Sequence, residues 1–350
     1  MKAWEKNIRR VVPYVPGEQP QRTVIKLNTN ENPYPPSPMV HKASNGMDTD
    51  CLRLYPDPDC NMLCQEIADF YHVEKEQVFV GVGSDDVLSM AFLTFFNSEL
   101  PILFPDITYS FYSVWADVYR IPYEKVPVDA NFCIQAKDYY KDNGGVIFAN
   151  PNAPTAICEP LSFVEDILIH NQDVIVIVDE AYIDFGGESA LSLLDKYENL
   201  LVVQTFSKSR SMAGMRIGYA IGSKELIKAM NDVKFSINSY TMNQNALRVG
   251  LFAVRDKEYF QETVGKIVKT REWVKEELAG LGFESTDSKT NFLFTTHKSK
   301  GAKEIFEALK ERDIFVRYFN APRIDNYLRI TIGTDEEMRS LIQALKDIIH

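Results

Sequence analysis

The amino-acid sequence predicts an α/β protein: a large domain built on a mostly parallel sheet, followed by a small C-terminal α+β domain. Three observations predict it. Val174-Ile175-Val176-Ile177-Val178 is an unbroken run of β-branched residues, which specifies a strand buried on both faces, as strands of parallel sheets are. From residue 39 to about residue 245, short apolar runs alternate with helical patterns, the arrangement that parallel connections require. From Asn243 to Gly282 the chain then reads as a long helical stretch, with Tyr259-Phe260, Val264, Ile267-Val268, Trp273-Val274 and Leu278 spaced by threes and fours.

Taken in order, Met1 to Pro38 is rich in Pro and Asn and has little periodicity, so it reads as an arm that lies on a partner surface. Residues 39–245 are expected to form the large domain and residues 246–350 the small one. The strand Val78-Phe79-Val80 runs through Gly81-Val82-Gly83-Ser84-Asp85-Asp86 into the helix pattern Val87 to Phe96. Glycines let the backbone approach a ligand, and a helix N-terminus offers unpaired N–H groups to a phosphate. A dinucleotide fingerprint is broken here, because Asp86 stands where its third glycine belongs. The strand Val146 to Ala149 precedes Asn150-Pro151-Asn152-Ala153-Pro154-Thr155, whose prolines keep the residues before them extended. Such a stiff loop can fix an amide side chain at a strand end, or can be a rigid turn and nothing more.

Asp179 closes the β-branched strand and is followed by Glu180, Ala181 and Tyr182; the next strand, Leu200 to Val203, leads into Thr205-Phe206-Ser207-Lys208-Ser209. Arg216 opens another apolar run, Ile217 to Ile221. Beyond the interdomain helix, strand Asn291 to Thr295, helix Ala302 to Lys310, strands Ile314 to Phe319 and Leu328 to Ile332, and helix Glu336 to Ile349 complete the small domain.

Ligands of open α/β sheets bind where the strands end, which is where Lys208 and Asp179 stand. Lys208 is a candidate for covalent chemistry; as a lone residue it also fits a surface position in a strand-to-helix loop. A buried carboxylate such as Asp179 is driven neutral unless a cation or hydrogen-bond donors meet it. A protonated ring nitrogen is a suitable partner, worth on the order of 4 kcal/mol at ~4 Å and an effective dielectric near 20. Capping the next helix or binding a metal are the other readings of Asp179.

Composition narrows the classes. With 350 residues and 45% hydrophobic content the chain can bury a large core. A net charge of −11 argues against nucleic acid as a partner, since phosphates require clustered Lys and Arg. Cys51, Cys60, Cys64, Cys133 and Cys158 are odd in number and lack CxxC spacing, so neither a disulfide framework nor a zinc site is expected. His41, His72, His170, His297 and His350 show no HExxH pattern, and no metal is expected. The first residues lack an apolar signal core and no apolar run is long enough to span a membrane, so a cytoplasmic protein is expected.

The chain order of the glycine loop at Ser84, the Asn-Pro turn, Asp179, Lys208 and Arg216 resembles the fold type I pyridoxal-phosphate aminotransferases. Pro13-Tyr14-Val15-Pro16-Gly17, Leu27-Asn28-Thr29-Asn30-Glu31-Asn32-Pro33, Leu54-Tyr55-Pro56-Asp57, Gly83-Ser84-Asp85, Asp179-Glu180-Ala181-Tyr182 and Leu328-Arg329-Ile330-Thr331-Ile332-Gly333 look like the histidinol-phosphate aminotransferase branch. The resemblance covers nearly the whole chain and implies a seven-stranded large-domain sheet. It implies pyridoxal 5'-phosphate as cofactor, with Lys208 as the Schiff-base and proton-shuttling lysine. It also implies that Asp179 pairs with the ring nitrogen, that Tyr182 reaches the ring hydroxyl, and that Tyr109 stacks on the ring. Ser84, Asp85, Thr205, Ser207 and Arg216 would hold the phosphate.

The same resemblance implies a homodimer with shared active sites, Tyr55 reaching the phosphate in the neighbouring subunit. Arg329 would grip a substrate carboxylate. Arg317, with Tyr14, would meet the substrate phosphate, or else lie solvated on an edge strand. Glu31 would face the imidazole, or else only order its Asn-rich turn. One departure stands out: the family pattern Asn-Pro-Thr-Gly is replaced by Ala153-Pro154-Thr155-Ala156. Two arrangements then remain for the ring hydroxyl, Asn152 turning in or Tyr182 holding it alone, the loss being about 1 kcal/mol.

The implied reaction is amino transfer from L-histidinol phosphate to 2-oxoglutarate, giving imidazole acetol phosphate and L-glutamate in histidine biosynthesis. A threonine-phosphate decarboxylase or an aromatic amino-acid aminotransferase shares the same core. A pyridoxal-phosphate-binding regulatory domain is the non-enzymatic alternative, disfavoured because no basic DNA-binding segment flanks the core.

Overall fold

The computed structural model describes residues 2–46 and 48–349. In chain order the strands are β1 (Ile25–Lys26), β2 (Val78–Gly81), β3 (Ile102–Pro105), β4 (Tyr123–Val126), β5 (Val146–Ala149), β6 (Val176–Asp179) and β7 (Leu200–Thr205). They continue with β8 (Gly218–Gly222), β9 (Phe283–Ser285), β10 (Phe292–His297), β11 (Ile314–Phe315), β12 (Arg317–Tyr318) and β13 (Leu328–Thr331).

Strands β2 to β8 form a seven-stranded sheet in the order β2-β8-β7-β6-β5-β3-β4. From β7 to β4 every adjacent pair is parallel, and β8 is antiparallel to both of its neighbours. Parallel neighbours need a crossover, usually a helix. The connection 206–217 holds only the 3-10 turn Ala213–Met215, so β7 and β8 pair as a hairpin, with Thr205 opposite Gly218. This hairpin loop carries Ser207, Lys208 and Arg216.

The period-two alternation of a strand splits the sheet into two buried faces. Phe104, Ile147, Ile177 and Leu201 point to one core, and Leu103, Phe148, Val178 and Val202 to the other. Burial on both faces accounts for the near-continuous apolar runs that made β5, β6 and β7 legible. β4 lies at the edge with Glu124 and Lys125 exposed, and so lacks an apolar run.

The small domain is an antiparallel sheet, β12-β13-β10-β9, joined by the parallel pair β1-β11. The predicted single strand 314–319 is in fact divided at Val316: Ile314 and Phe315 pair with β1, whereas Arg317 and Tyr318 pair with β13. The predicted long helical stretch is likewise two helices, Gln244–Arg255 and Lys257–Gly280. They part at Asp256, whose carboxylate accepts from Tyr259 N–H and caps the second, the preferred use of Asp at a helix start. On that second helix Arg271 is buried and donates from Nη1 to Phe185 O and Thr290 O, both at 2.8 Å. It thereby ties the loop after β6 to the segment entering β10.

Candidate active site

A cavity of about 630 Å³ opens at the carboxyl ends of β5, β6 and β7, walled on its far side by residues of β12, β13 and the segment 28–31. Register places Ala149, Asp179 and Val203 side by side at that edge. Tyr14, Glu31, Ser84, Asp85, Tyr109, Asp179, Tyr182, Thr205, Ser207, Lys208, Arg216, Arg317 and Arg329, all predicted from sequence, line it; Asn152 and Tyr55 do not.

One end has the donors to hold an anion. Gly81 pairs with Gly218 across β2 and β8, which brings the start of helix Gly83–Phe95 against the β7–β8 hairpin. Gly83 takes φ +83°, and a Cβ there would stand 2.4 Å from Arg216 Nη2. A Cβ on Gly218 would likewise meet Gly83 C at 2.3 Å. Only glycine allows this approach, and its consequence is an arginine fork beside the helix N-terminus. Arg216 donates to Asp85 Oδ2 at 3.1 Å and, over 3.4 Å, to Ser207 Oγ. Ser207 N–H donates to Thr205 Oγ1 at 3.1 Å.

The centre holds Asp179, only 4% exposed. Tyr112 O–H donates to Asp179 Oδ2 at 2.9 Å and Ala181 N–H to Oδ1 at 3.2 Å. Burial outweighs these donors and pushes the carboxyl up to about 6, with the Asp85 charge adding to the rise and Lys208 opposing it. Tyr109 walls the cavity and donates to Asp85 Oδ1 at 2.7 Å; burial and Asp85 together push its phenol far above the ordinary value. Behind Asp179, the buried Glu180 accepts from Ala190 N–H at 2.7 Å, Ser189 O–H at 2.6 Å and Gln204 Nε2 at 2.8 Å. These bonds fix the backbone that aims Asp179 and Tyr182.

Lys208 is half-buried. Its Nζ stands 5.7 Å from the Tyr182 ring centroid and 3.5 Å from Thr29 O. Asn32 Nδ2 donates to the carbonyls of Lys208 and Ser209 at 3.0 and 3.2 Å, so the segment after β1 clamps the lysine's backbone.

The far wall is cationic. Arg317 and Arg329 are directly opposed across β12 and β13. Arg329 Nη2 donates to Asn28 O at 3.0 Å, its buried Nε has no partner among the described residues, and its Cζ lies 5.4 Å from the Phe292 ring centroid. Burial holds the Arg329 guanidinium below its usual range. Among the described residues neither arginine pairs with a carboxylate, whereas the nearby Arg323 pairs with Asp106 at 3.1 Å. Tyr14 stacks on Phe111 at 4.3 Å, which folds the arm over the cavity. Glu31 pairs with Lys26 and accepts from Thr29 Oγ1 at 3.0 Å. Burial raises its pKa, but Lys26, Thr29 and Lys208 together outweigh burial and hold the carboxyl below the usual range.

Of the two arrangements left open by the sequence, Asn152 does not take the first: it does not turn into the cavity. Its Oδ1 accepts from Thr108 Oγ1 at 2.7 Å, while Nδ2 donates to Ile107 O and Thr155 Oγ1, both at 2.9 Å. A fully satisfied amide stays in the loop, and Ala153 faces the cavity in its stead. Tyr55, 79% exposed, stacks on Tyr240 at 4.5 Å, outside the cavity of its own chain. Among the residues at or behind the site that went unread in the sequence are Asn30, Asn32 and Tyr112. Asn30 and Asn32 flank Glu31 in a segment singled out for its resemblance, and their left-handed backbone or main-chain contacts have no periodic signal. Tyr112 follows Tyr109 by three residues, the spacing of one helical turn.

An anion cradle, a buried carboxylate able to meet a protonated ring nitrogen, an amine and a cationic wall suit a phosphorylated pyridine cofactor together with an anionic substrate. Comparison with known proteins points the same way. A family model for "Aminotransferase class I and II" matches residues 22–345. The chain is 54% identical over 345 residues to the histidinol-phosphate aminotransferase of Lactococcus lactis subsp. lactis (strain IL1403), covering 98% of this chain and 96% of the relative. It is 50% identical over 350 residues to that of Clostridium botulinum (strain 657 / Type Ba4), covering 100% and 99%. Among solved structures, histidinol-phosphate aminotransferase from Sinorhizobium meliloti in complex with pyridoxal-5'-phosphate superposes with a TM-score of 0.84 at 23% identity, covering 94% of this chain and 92% of that one; this likeness shows the fold. The chain belongs to the class I and II aminotransferase family.

Proposed function

We propose that this aminotransferase moves the amino group of L-histidinol phosphate to 2-oxoglutarate, forming imidazole acetol phosphate and L-glutamate, with pyridoxal 5'-phosphate as cofactor. The observation that carries the reading is the Arg317/Arg329 pair. Like charges directly opposite each other on neighbouring strands destabilise a sheet, and here no carboxylate of the described residues relieves them. A dianion bound between them does. Both substrates bring one: the phosphate of the amino donor and the two carboxylates of the acceptor. The names of the Lactococcus and Clostridium relatives support the same substrate.

In this reading Ser84, Asp85, Thr205, Ser207 and Arg216 hold the cofactor phosphate, and Tyr109 packs against the ring. Asp179 would meet the ring nitrogen and keep a proton on it, Tyr182 would reach the ring hydroxyl, and Lys208 would present its amine. When bound, pyridoxal phosphate supplies an electron sink for the carbon that loses its proton. Lys208 Nζ takes and returns that proton, Tyr14 closes the pocket over the donor, and the ionised Glu31 accepts the imidazole N–H.

Titration of the loaded protein with histidinol phosphate, phenylalanine and threonine phosphate, followed by visible absorbance and keto-acid formation, tests the assignment. Histidinol phosphate is expected to convert the cofactor fastest. Conversion by phenylalanine instead would keep the aminotransferase and discard this substrate. Arg317→Leu is expected to raise KM for histidinol phosphate by about tenfold or more, because hydrogen bonds to charged groups contribute roughly 1.5–3 kcal/mol. An unchanged KM would remove Arg317 from the substrate site.

The homodimer belongs to the same proposal. Leu52, Leu54, Tyr55, Ile237 and Tyr240 are exposed around the Tyr55–Tyr240 stack, an apolar patch of the kind that marks an interface. Its partner is a second copy, so that Tyr55 completes the neighbour's phosphate site. Sedimentation should give twice the 40.0 kDa chain mass; a monomer at micromolar concentration would overturn the shared site. We place the enzyme in the cytoplasm. Its five cysteines are free, as in reducing compartments, and among the described residues no helix is long and apolar enough to cross a membrane.

A further inference from the structure

Asn30 lines the cavity, is 1% exposed and takes φ +57°, a left-handed conformation that Asn tolerates better than most residues. Its hydrogen bonds fix which way its amide points. Asn30 N–H donates to Thr331 Oγ1 at 3.0 Å, so that hydroxyl is already an acceptor, and its single proton goes to Asn30 Oδ1 at 3.1 Å. Turned round, the amide would leave the proton of the buried Thr331 hydroxyl with no acceptor among the described residues, and this assigns the amide oxygen to the Thr331 side. Asn30 Nδ2 must face the other way, where it donates to Tyr182 Oη at 2.8 Å. Asn291 Nδ2 donates to Asn30 O at 3.0 Å and holds the backbone.

The consequence falls on Tyr182. A phenol offers one donor and accepts at its oxygen. With the oxygen receiving the Asn30 amide, the Tyr182 proton has no acceptor among the described residues and is directed into the cavity. This polarity matters more here than in a chain that keeps an asparagine at position 153, because Ala153 offers no donor and Asn152 is committed to its own loop.

We propose that Asn30 is a positioning residue that acts through Tyr182: it sets the Tyr182 hydroxyl as a hydrogen-bond donor toward the cofactor's ring oxygen. This rests on the proposed function, which places that oxygen at Tyr182. Thr331 is the second member of the relay, since it decides the orientation of the Asn30 amide.

A double-mutant cycle with Asn30→Asp and Tyr182→Phe tests it, read as the dissociation constant for pyridoxal phosphate, with thermal unfolding of the cofactor-free proteins alongside. Asp keeps the size and the left-handed tolerance of Asn but turns the group facing Tyr182 into an acceptor, which draws the hydroxyl proton away from the cavity. In the wild-type background Asn30→Asp is expected to weaken cofactor binding about tenfold, the equivalent of one hydrogen bond. In the Tyr182→Phe background it should cost less than about twofold, since there is no hydroxyl left to orient. An equal loss in both backgrounds would make Asn30 a structural residue and overturn the proposal, and so would no loss in either. Wild-type protein that takes up no pyridoxal phosphate would overturn the proposed function, and this inference with it. If Asn30→Asp fails to fold, Thr331→Val serves in its place: freeing the amide to flip should give the same background-dependent loss, and a background-independent loss would count against the relay.

Discussion

Lys208→Ala abolishes transamination, lowering kcat by about 10⁴-fold or more, while the protein keeps its fold. The size follows from the two tasks assigned to one amine. Positioned proton transfer contributes roughly 10²–10⁴-fold, and a nucleophilic amine adds a covalent route that no neighbour can replace. Among the described residues no other lysine lines the cavity. Structurally the side chain does little: it is half-buried and, among the described residues, its one hydrogen bond is to Thr29 O at 3.5 Å. Its loss should therefore change stability by less than about 1 kcal/mol, and the backbone remains clamped by Asn32. Borohydride treatment followed by intact-mass measurement gives a readout independent of turnover. The wild-type chain should gain the mass of one reduced cofactor and the variant none. A variant that is still labelled, or that turns over within tenfold of wild type, would move the chemistry to another amine.

That lysine could be found in the sequence because the physics around it is one-dimensional. Strands buried on both faces must be apolar along their whole length, so β5, β6 and β7 were legible, and their ends located Asp179 and Lys208. The arginines of the far wall were found by resemblance, and no periodicity signals them. What escaped notice depends on contacts remote in sequence. Asn30 meets Tyr182 and Thr331 across separations of 152 and 301 residues. Tyr112 reaches Asp179 from a helix that reads as ordinary core. The reversal of β8 was hidden for a different reason: an apolar run has no direction, and only the lack of a crossover helix in 206–217 sets it antiparallel. Asn152 was suggested by its nearness to position 153. Its loop closes on Thr108, Ile107 and Thr155, and that closure satisfies the amide before the cavity can use it.

Asp179→Asn should separate catalysis from stability with opposite signs. The variant keeps the shape of the carboxyl group, so Ala181 N–H retains an acceptor and the Tyr112 hydroxyl can turn to accept from the new amide. Catalysis loses the charge that holds a proton on the cofactor's ring nitrogen. Roughly 4 kcal/mol at about 4 Å and an effective dielectric near 20 corresponds to a fall of about 10³-fold in kcat/KM. The cofactor-free protein should respond the other way. The folded-state pKa of Asp179, about 6, lies above the ordinary 3.8. Its contribution to stability is thus fully present below pH 3.8 and is lost as pH rises through about 6. At pH 8 wild type carries a buried, ionised carboxylate that costs about 3 kcal/mol relative to the unfolded chain. Asn carries no such charge. Cofactor-free Asp179→Asn should therefore unfold at a higher temperature than wild type at pH 8, and the difference should shrink as the pH is lowered toward 5. Adding pyridoxal phosphate should reverse the order, because only the wild-type carboxylate then gains a cationic partner. A variant less stable than wild type at pH 8 without cofactor would mean that Tyr112 and Ala181 already meet the charge in full, and that Asp179 is not held in reserve for a ring nitrogen.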